Sequence, residues 1–308
     1  MRMSVSLGTR VLEPPGEFCT AAAMAEVGAA AERVGFDGVY VSDHPVPHPS
    51  YAAHGGHHAL DPFVALAFVA AATTRLRLQT HLVVVPYRNP FLTAKTVASL
   101  DVLSGGRVLL GVGAGYMEPE FAALGVDFDE RNDLLDEAIV AMKRAWSGEP
   151  FDLRGRHFTA EGNEALPRPV QRPQPPIWVG GNSRRAIRRA VEQGDGWIPF
   201  PNPPDGAASR HSRPLRSLDD LGEGIAYARR HALAVGREAP LDIAFMPGAF
   251  AYWDRRALTS DEIVDNCAAM ADLGVTYLMA TVGAPTRAAY LEQLERYGAE
   301  ILPAVAEL

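Results

Sequence analysis

Strand-like and helix-like segments alternate along the whole of this chain, eight of each, and few folds accept that rhythm. The strand candidates cover 3–9, 38–42, 76–85, 108–112, 177–180, 196–198, 241–245 and 275–281. The helix candidates cover 21–34, 61–72, 90–103, 132–146, 183–193, 218–235, 260–272 and 287–301. The segment Val108-Leu109-Leu110-Gly111-Val112 is apolar without a polar alternate, the pattern of a strand covered on both faces. Helix ends carry their own marks: Asp61 can cap a segment that opens on Pro62, and Gly35 stands just past the end of the 21–34 segment. Parallel strands need crossover connections, so strict alternation predicts an α/β protein with a parallel sheet. Eight repeats predict a closed (β/α)8 TIM barrel. A doubly wound open sheet is the alternative.

The chain has 308 residues, a common barrel length, and no Pro- or Ser-rich linker divides it, so one domain over 1–308 is expected. One stretch, 151–176, breaks the rhythm; it is polar, Pro-rich and weakly β, and is taken as an insertion. With 47% hydrophobic residues and a formal charge of −8, the composition is globular and gives no reason to expect nucleic acid or an anionic membrane as a partner. No run of 18 apolar residues occurs, and Cys19 and Cys267 lie far apart outside any CxxC pattern. A reducing, cytoplasmic location is the expectation.

Barrel active sites are built at the C-terminal ends of the strands. Asp43 and His44 fall just past the 38–42 strand, where a histidine can give or take a proton near neutral pH. The plain alternative is a capping Asp and a hydrogen-bonded loop His. Long loops follow at 43–60, 116–131 and 199–217, the first expected to line the pocket and the third to be mobile. His48, His54, His57 and His58 share the first of these, but their spacing matches no zinc pattern and no metal is expected. Gly111, Gly113 and Gly115 sit at and beyond the end of the 108–112 strand. Glycine there permits close approach of a flat ring or a phosphate. Tight barrel packing and a turn explain the same spacing, and it leaves both open. Gly180-Gly181-Asn182-Ser183 precedes a helix, whose free N–H groups and dipole suit a phosphate, with Arg184 and Arg185 beside it. An ordinary turn with exposed arginines is the alternative.

Several motifs occur together. Leu100 to Tyr116 reads LDVLSGGRVLLGVGAGY, followed by Pro119-Glu120-Phe121 and Glu130-Arg131. Val41-Ser42-Asp43-His44, Val85-Pro86-Tyr87-Arg88-Asn89-Pro90, Pro176-Ile177-Trp178-Val179-Gly180-Gly181-Asn182-Ser183 and Asp195-Gly196-Trp197 complete the set. Together they resemble the luciferase-like monooxygenase superfamily, most of all its F420-dependent branch. The resemblance implies an oxidoreductase that moves a hydride between the deazaflavin F420 and a small organic substrate. It places Asp43 and His44 beside the cofactor ring, with His44 assisting proton transfer, and Gly180, Gly181, Asn182 and Ser183 at its phosphate. It sets Gly113 and Gly115 close to the cofactor, Val85 and a bulge against the ring, and a non-prolyl cis peptide at Leu82–Val83 within that bulge. A homodimer is implied, with the helices after the second and third strands as candidate surfaces. Tyr116 stands where sugar-phosphate dehydrogenase relatives carry a Glu, and Pro119 where they carry an Asn, which argues against that substrate class. Tyr116 then either donates a hydrogen bond or walls the pocket. An enzyme using reduced FMN and molecular oxygen is the alternative, and a non-catalytic flavin-binding protein the second.

Overall fold

The computed structural model describes residues 1–8, 15–53, 56–203, 210–251 and 256–308. Most crossover helices begin at a side chain suited to the task. Thr20, Asp61, Asn89, Ser183, Ser217, Thr259 and Thr286 each accept a hydrogen bond from a first-turn N–H of the helices Ala21–Val34, Pro62–Ala72, Pro90–Ser104, Arg184–Gln193, Leu218–Ala234, Ser260–Leu273 and Arg287–Arg296. Thr259 and Glu262 form a reciprocal capping box. Helix Arg131–Ala145 starts without a side-chain cap.

Between them run β1 (Arg2–Ser6), β2 (Gly38–Val41), β3 (Arg77–Thr80), β4 (Val83–Val84), β5 (Val108–Gly113), β6 (Phe151–Arg154), β7 (Thr159–Asn163), β8 (Ile177–Gly180), β9 (Gly196–Ile198), β10 (Asp242–Phe245) and β11 (Tyr277–Ala280). The main sheet runs β3-β2-β1-β11-β10-β9-β8-β5, and β5 pairs back onto β3 through Leu78↔Val108 and Gln79↔Leu109. That last pairing closes the ring and rules out the open doubly wound sheet. Every pairing in it is parallel, so the fold is a (β/α)8 TIM barrel.

Strand periodicity divides the core into two layers. Tyr40, Leu109, Trp178, Ile198, Ala244, Tyr277 and Met279 fill the lumen, while Val39, Val41, Leu78, Leu110 and Val179 face the helices. The lumen's phenols are satisfied: Tyr277 meets Ser4 Oγ at 2.8 Å, and Tyr40 donates to the Ala280 carbonyl at 3.0 Å. Arg107 of the Gly-Gly-Arg motif is buried and donates to the carbonyls of Ala70, Leu76 and Ser104 and to Thr73 Oγ1. It ties the end of helix Pro62–Ala72 to the strand beside it, and this explains a motif residue that chemistry does not need.

The third stave departs from expectation. A single strand over 76–85 is broken into β3, β4 and a short 3-10 turn at Val85–Tyr87. Gln79 pairs with Leu109 but Val83 with Val112, so one residue is extra on this side and the stave bulges. The insertion is an antiparallel hairpin, β6 with β7. It is pinned by the Glu137 carboxylate, which accepts the N–H groups of His157 and Phe158 at 3.1 Å and 2.8 Å. Thr9, at the end of the expected first strand, lies outside the described residues. The last expected helix, over 287–301, passes at Arg296 into a π turn, Tyr297–Ile301. Among the described residues no helix is long and apolar enough to cross a membrane.

Candidate active site

The bulge between β3 and β4 shapes the mouth of the barrel. The non-prolyl cis peptide lies at His81–Leu82, one residue before the Leu82–Val83 bond expected. Leu82 packs against the lumen cluster, whereas Val83 and Val85 belong to the layer between barrel and helices. Any support that Val83 and Val85 give a ring at the mouth therefore comes from their backbone.

The glycines of β5 and β8 answer this bulge directly. A Cβ on Gly180 would stand 2.1 Å from Leu82 Cδ1, one on Gly113 3.1 Å from the same atom, and one on Gly111 2.1 Å from the Thr80 carbonyl oxygen. Gly115, at φ +81°, would place a Cβ 2.6 Å from Val84 Cγ1 and 2.8 Å from Phe121 Cε2. The glycine pattern makes room for the neighbouring strand, which is the tight barrel packing that the spacing had left open beside cofactor approach.

Asp43 leaves β2 and is buried. Its Oδ1 accepts from Arg88 Nη2 at 2.9 Å, and its Oδ2 accepts from Arg88 Nη1 and from the Val84 N–H at 3.0 Å. Burial works to lower the Arg88 pKa, but the hydrogen bond and charge of Asp43, with Asp61 beyond, hold it above its ordinary value. The pair fastens the end of β2 to the bulge.

His44, the next residue, heads a chain of polar contacts. Its Nε2 meets the Tyr51 hydroxyl at 3.1 Å, and Tyr51 meets the Tyr116 hydroxyl at 3.3 Å. Tyr51 comes from a short helix, Pro49–Ala53, within the loop after β2. On the other side, His44 Nδ1 stands 3.7 Å from Glu120 Oε2. Glu120 is 1% exposed and accepts from the Tyr87 hydroxyl at 2.9 Å and the Val46 N–H at 3.2 Å. Burial, then Tyr51, pushes the Tyr116 hydroxyl well above the usual tyrosine range, and burial with Glu120 does the same to Tyr87. Both remain neutral phenols at any physiological pH. His57 stands edge-on to His44 with ring centroids 5.2 Å apart and meets Ser42 Oγ at 2.9 Å, and His48 meets Ser50 Oγ at 2.8 Å. His54 lies outside the described residues.

At the end of β8, Gly181 takes φ +113° and turns the chain into helix Arg184–Gln193. Ser183 Oγ is engaged as the helix cap by the Ala186 N–H at 3.1 Å. The Asn182 side chain donates to the Phe200 and Arg213 carbonyls at 2.7 Å and 3.0 Å and accepts from the Phe200 N–H at 2.8 Å, so it braces the loop after β9. The first-turn N–H groups of Arg184 and Arg185 have no acceptor among the described residues. Arg185 turns to Asp133 and Asp136, while Arg184 lies over the Tyr227 ring at 5.2 Å. Beside Arg184 a cavity of about 250 Å³ is lined by Asn182, Trp197, Arg213 and Tyr227 among others. In the loop after β9, Asn202 bridges Leu215 and His211 Nε2 approaches Glu118 at 3.5 Å; residues 204–209, for which mobility was expected, lie outside the described residues.

Asp43, His44, Tyr116 and the Gly180–Ser183 turn thus stand at strand ends on one rim, as the sequence placed them. Glu120 and Arg88 were visible only as members of a motif, and Tyr51 carried no signal at all. Each gains its meaning from a partner distant in the chain.

The chain matches the model of the luciferase-like monooxygenase family over residues 1–303. An F420-dependent hydroxymycolic acid dehydrogenase of Mycobacterium tuberculosis is 32% identical over 215 residues, 69% of this chain and 56% of that protein, so the match spans little more than half of the relative. Among solved structures, the monooxygenase RslO1 from Streptomyces bottropensis superposes with a TM-score of 0.79 at 22% identity, over 98% of this chain and 99% of that one. The oxygenating constituent of 3,6-diketocamphane monooxygenase from Pseudomonas putida, in complex with FMN, gives 0.76 at 17% identity over 98% of both chains. At such identities these structures speak for the fold.

Proposed function

Because the chain belongs to the luciferase-like monooxygenase family and is therefore an oxidoreductase, we propose that it transfers a hydride between the deazaflavin F420 and a small organic substrate that carries a hydroxyl or carbonyl group. The observation that carries this is the contact chain His44–Tyr51–Tyr116, an imidazole joined to two neutral phenols at the barrel mouth. Oxidising an alcohol releases one hydride and one proton. Bound F420 would supply the hydride acceptor, as cofactors carry the hard chemistry. The protein's share is the proton, which a hydroxyl chain ending in a histidine can take up or return.

The residues present fit such a cofactor. The unclaimed N–H groups of Arg184 and Arg185, at the positive end of a helix dipole, suit its phosphate. Gly180 and Gly181 bring the backbone to that turn, with Asn182 and Ser183 holding its shape. Gly113, Gly115, Leu82, Val83 and Val85 form the wall for the ring, and Asp43 keeps that wall in place through Arg88. The motif around Ser42-Asp43-His44 and the F420-dependent relative support F420 over FMN. FMN with oxygen remains the rival chemistry, and the cytoplasm is the compartment the F420 reading implies.

Titrating the protein with F420 and with FMN, following quenching of Trp178 and Trp197, tests the proposal. Saturable binding of F420 with FMN at least tenfold weaker is expected. Tight FMN binding with no response to F420 would overturn it.

We also propose a homodimer. Val64 and Phe68 of helix Pro62–Ala72 and Leu92 and Leu103 of helix Pro90–Ser104 are exposed on adjacent helices, an apolar face that suits a second copy.

A further inference from the structure

Glu120 is a buried carboxylate that no Lys or Arg pairs with among the described residues; its one ion-pair contact there is His44. We propose that Glu120 is a positioning residue: it fixes the tautomer of His44 and, through it, the direction of the hydrogen-bonded chain that ends at Tyr116. The proposal rests on His44 being the proton-handling group described above.

The carboxylate cannot swing away. Its Oε1 is held by the Val46 N–H and its Oε2 by the Tyr87 hydroxyl. Ionised, it can only accept. His44 Nδ1 has no hydrogen-bond partner and stands 3.7 Å from Oε2. A lone pair on that nitrogen would face a negative charge in poorly screened surroundings, whereas an N–H would be attracted to it. The favoured neutral ring therefore carries its proton on Nδ1 and offers a lone pair at Nε2.

The remaining directions follow one from another. Tyr51 must donate to His44 Nε2, having a single proton to give. Its oxygen must then accept from the Tyr116 hydroxyl. Tyr116 thereby spends its own proton inward and turns lone pairs toward the mouth. A substrate hydroxyl arriving there meets an acceptor. With F420 bound to accept the hydride, the substrate's proton would pass to Tyr116, that of Tyr116 to Tyr51, and that of Tyr51 to His44 Nε2. The imidazolium formed sits beside Glu120, so charge stays balanced. The reverse sequence delivers a proton to a carbonyl oxygen being reduced.

Long-range proton–nitrogen NMR on the full-length, cofactor-free protein with labelled histidine tests this, with His44 assigned by the signal lost in His44→Asn. Under conditions where the ring is neutral, the wild type should show His44 protonated at Nδ1 and bare at Nε2. In Glu120→Gln the separation between the two ring nitrogens should collapse toward an even mixture. Tyr87→Phe, which keeps the carboxylate and its Val46 N–H bond, should disturb the pattern less than Glu120→Gln does. A bare Nδ1 in the wild type would overturn the proposal even if neither Glu120→Gln nor Tyr87→Phe folds. So would an unchanged pattern in Glu120→Gln, or an equal disturbance in Tyr87→Phe. Because no cofactor is present, failure of F420 to bind would count against the functional reading alone.

Discussion

Gly111 has no room for a methyl group, since a Cβ would meet the Thr80 carbonyl oxygen at 2.1 Å, and a backbone atom cannot rotate away. Gly111→Ala should therefore cost about 1–3 kcal/mol, the range for overpacking a tight interior. Gly283→Ala, where nothing lies within 4 Å, should be close to neutral. Denaturant unfolding compares the two, and equal midpoints would contradict the steric account. Asp43 makes a second prediction. Asp43→Ala leaves the half-buried Arg88 guanidinium only Asp61 as a partner and frees the Val84 N–H, so a loss of about 1–3 kcal/mol is expected, as for a buried polar group left unsatisfied. Calorimetry should place its Tm well below that of His44→Asn. If both variants melt together, Asp43 does not brace the bulge.

The insertion shows how an element can be held by one side chain. Glu137, on helix Arg131–Ala145, accepts from the backbone of His157 and Phe158 at the tip of the β6–β7 hairpin and from His157 Nδ1 at 2.8 Å. Burial works to raise its pKa, but the hydrogen bonds from Phe158 and His157 outweigh it and hold the carboxyl below its ordinary value of 4.5. A depressed carboxyl stabilises the fold above the unfolded value and loses that contribution as pH falls through the folded one. Docking of the hairpin should thus be constant above about pH 4.5 and fail as the solution is acidified further. Hydrogen exchange over 151–163 reads this directly, and Glu137→Gln should raise exchange there at neutral pH while β1 and β11 stay protected. Uniform exchange in both regions would refute the local role. The hairpin was legible only as a weakly β stretch: its residues are largely polar, the prolines of the insertion fall after it, and docking against a helix makes them strands. The split third stave was hidden for the opposite reason. Leu82-Val83-Val84-Val85 is as strand-like as any run in the chain, and the bulge exists only in register against β5.

On the scale of the molecule, closure couples every stave of the barrel to two neighbours, and the shell of helices shares one continuous core with the barrel. We propose that the chain unfolds as one domain, and a single calorimetric transition with matching van't Hoff enthalpy is the expected result. The proposed dimer has its own test. Phe68→Asp combined with Leu103→Glu places charge on the exposed apolar face, where Leu103 is 82% exposed. Sedimentation should shift from dimer to monomer while F420 affinity is retained, since neither residue touches the barrel mouth. An unchanged mass in the double variant, or a monomeric wild type, would remove the dimer from the proposal.

The sequence by itself determined the order and kind of the eight strand–helix repeats, most of their ends, and the rim on which Asp43, His44, Tyr116 and the Gly180–Ser183 turn stand. Those features depend on interactions within a few residues: a cap such as Asp61 or Asn89 reaching its own first turn, and an apolar period that repeats along one strand or helix. Only the tertiary structure decided that β5 returns to β3, that Leu82 occupies the space the glycines leave, that Asp43 belongs to Arg88, and that Glu120 stands behind His44. Each of those contacts joins segments distant in the chain, and its geometry is set by barrel register and a one-residue bulge, which no local pattern encodes.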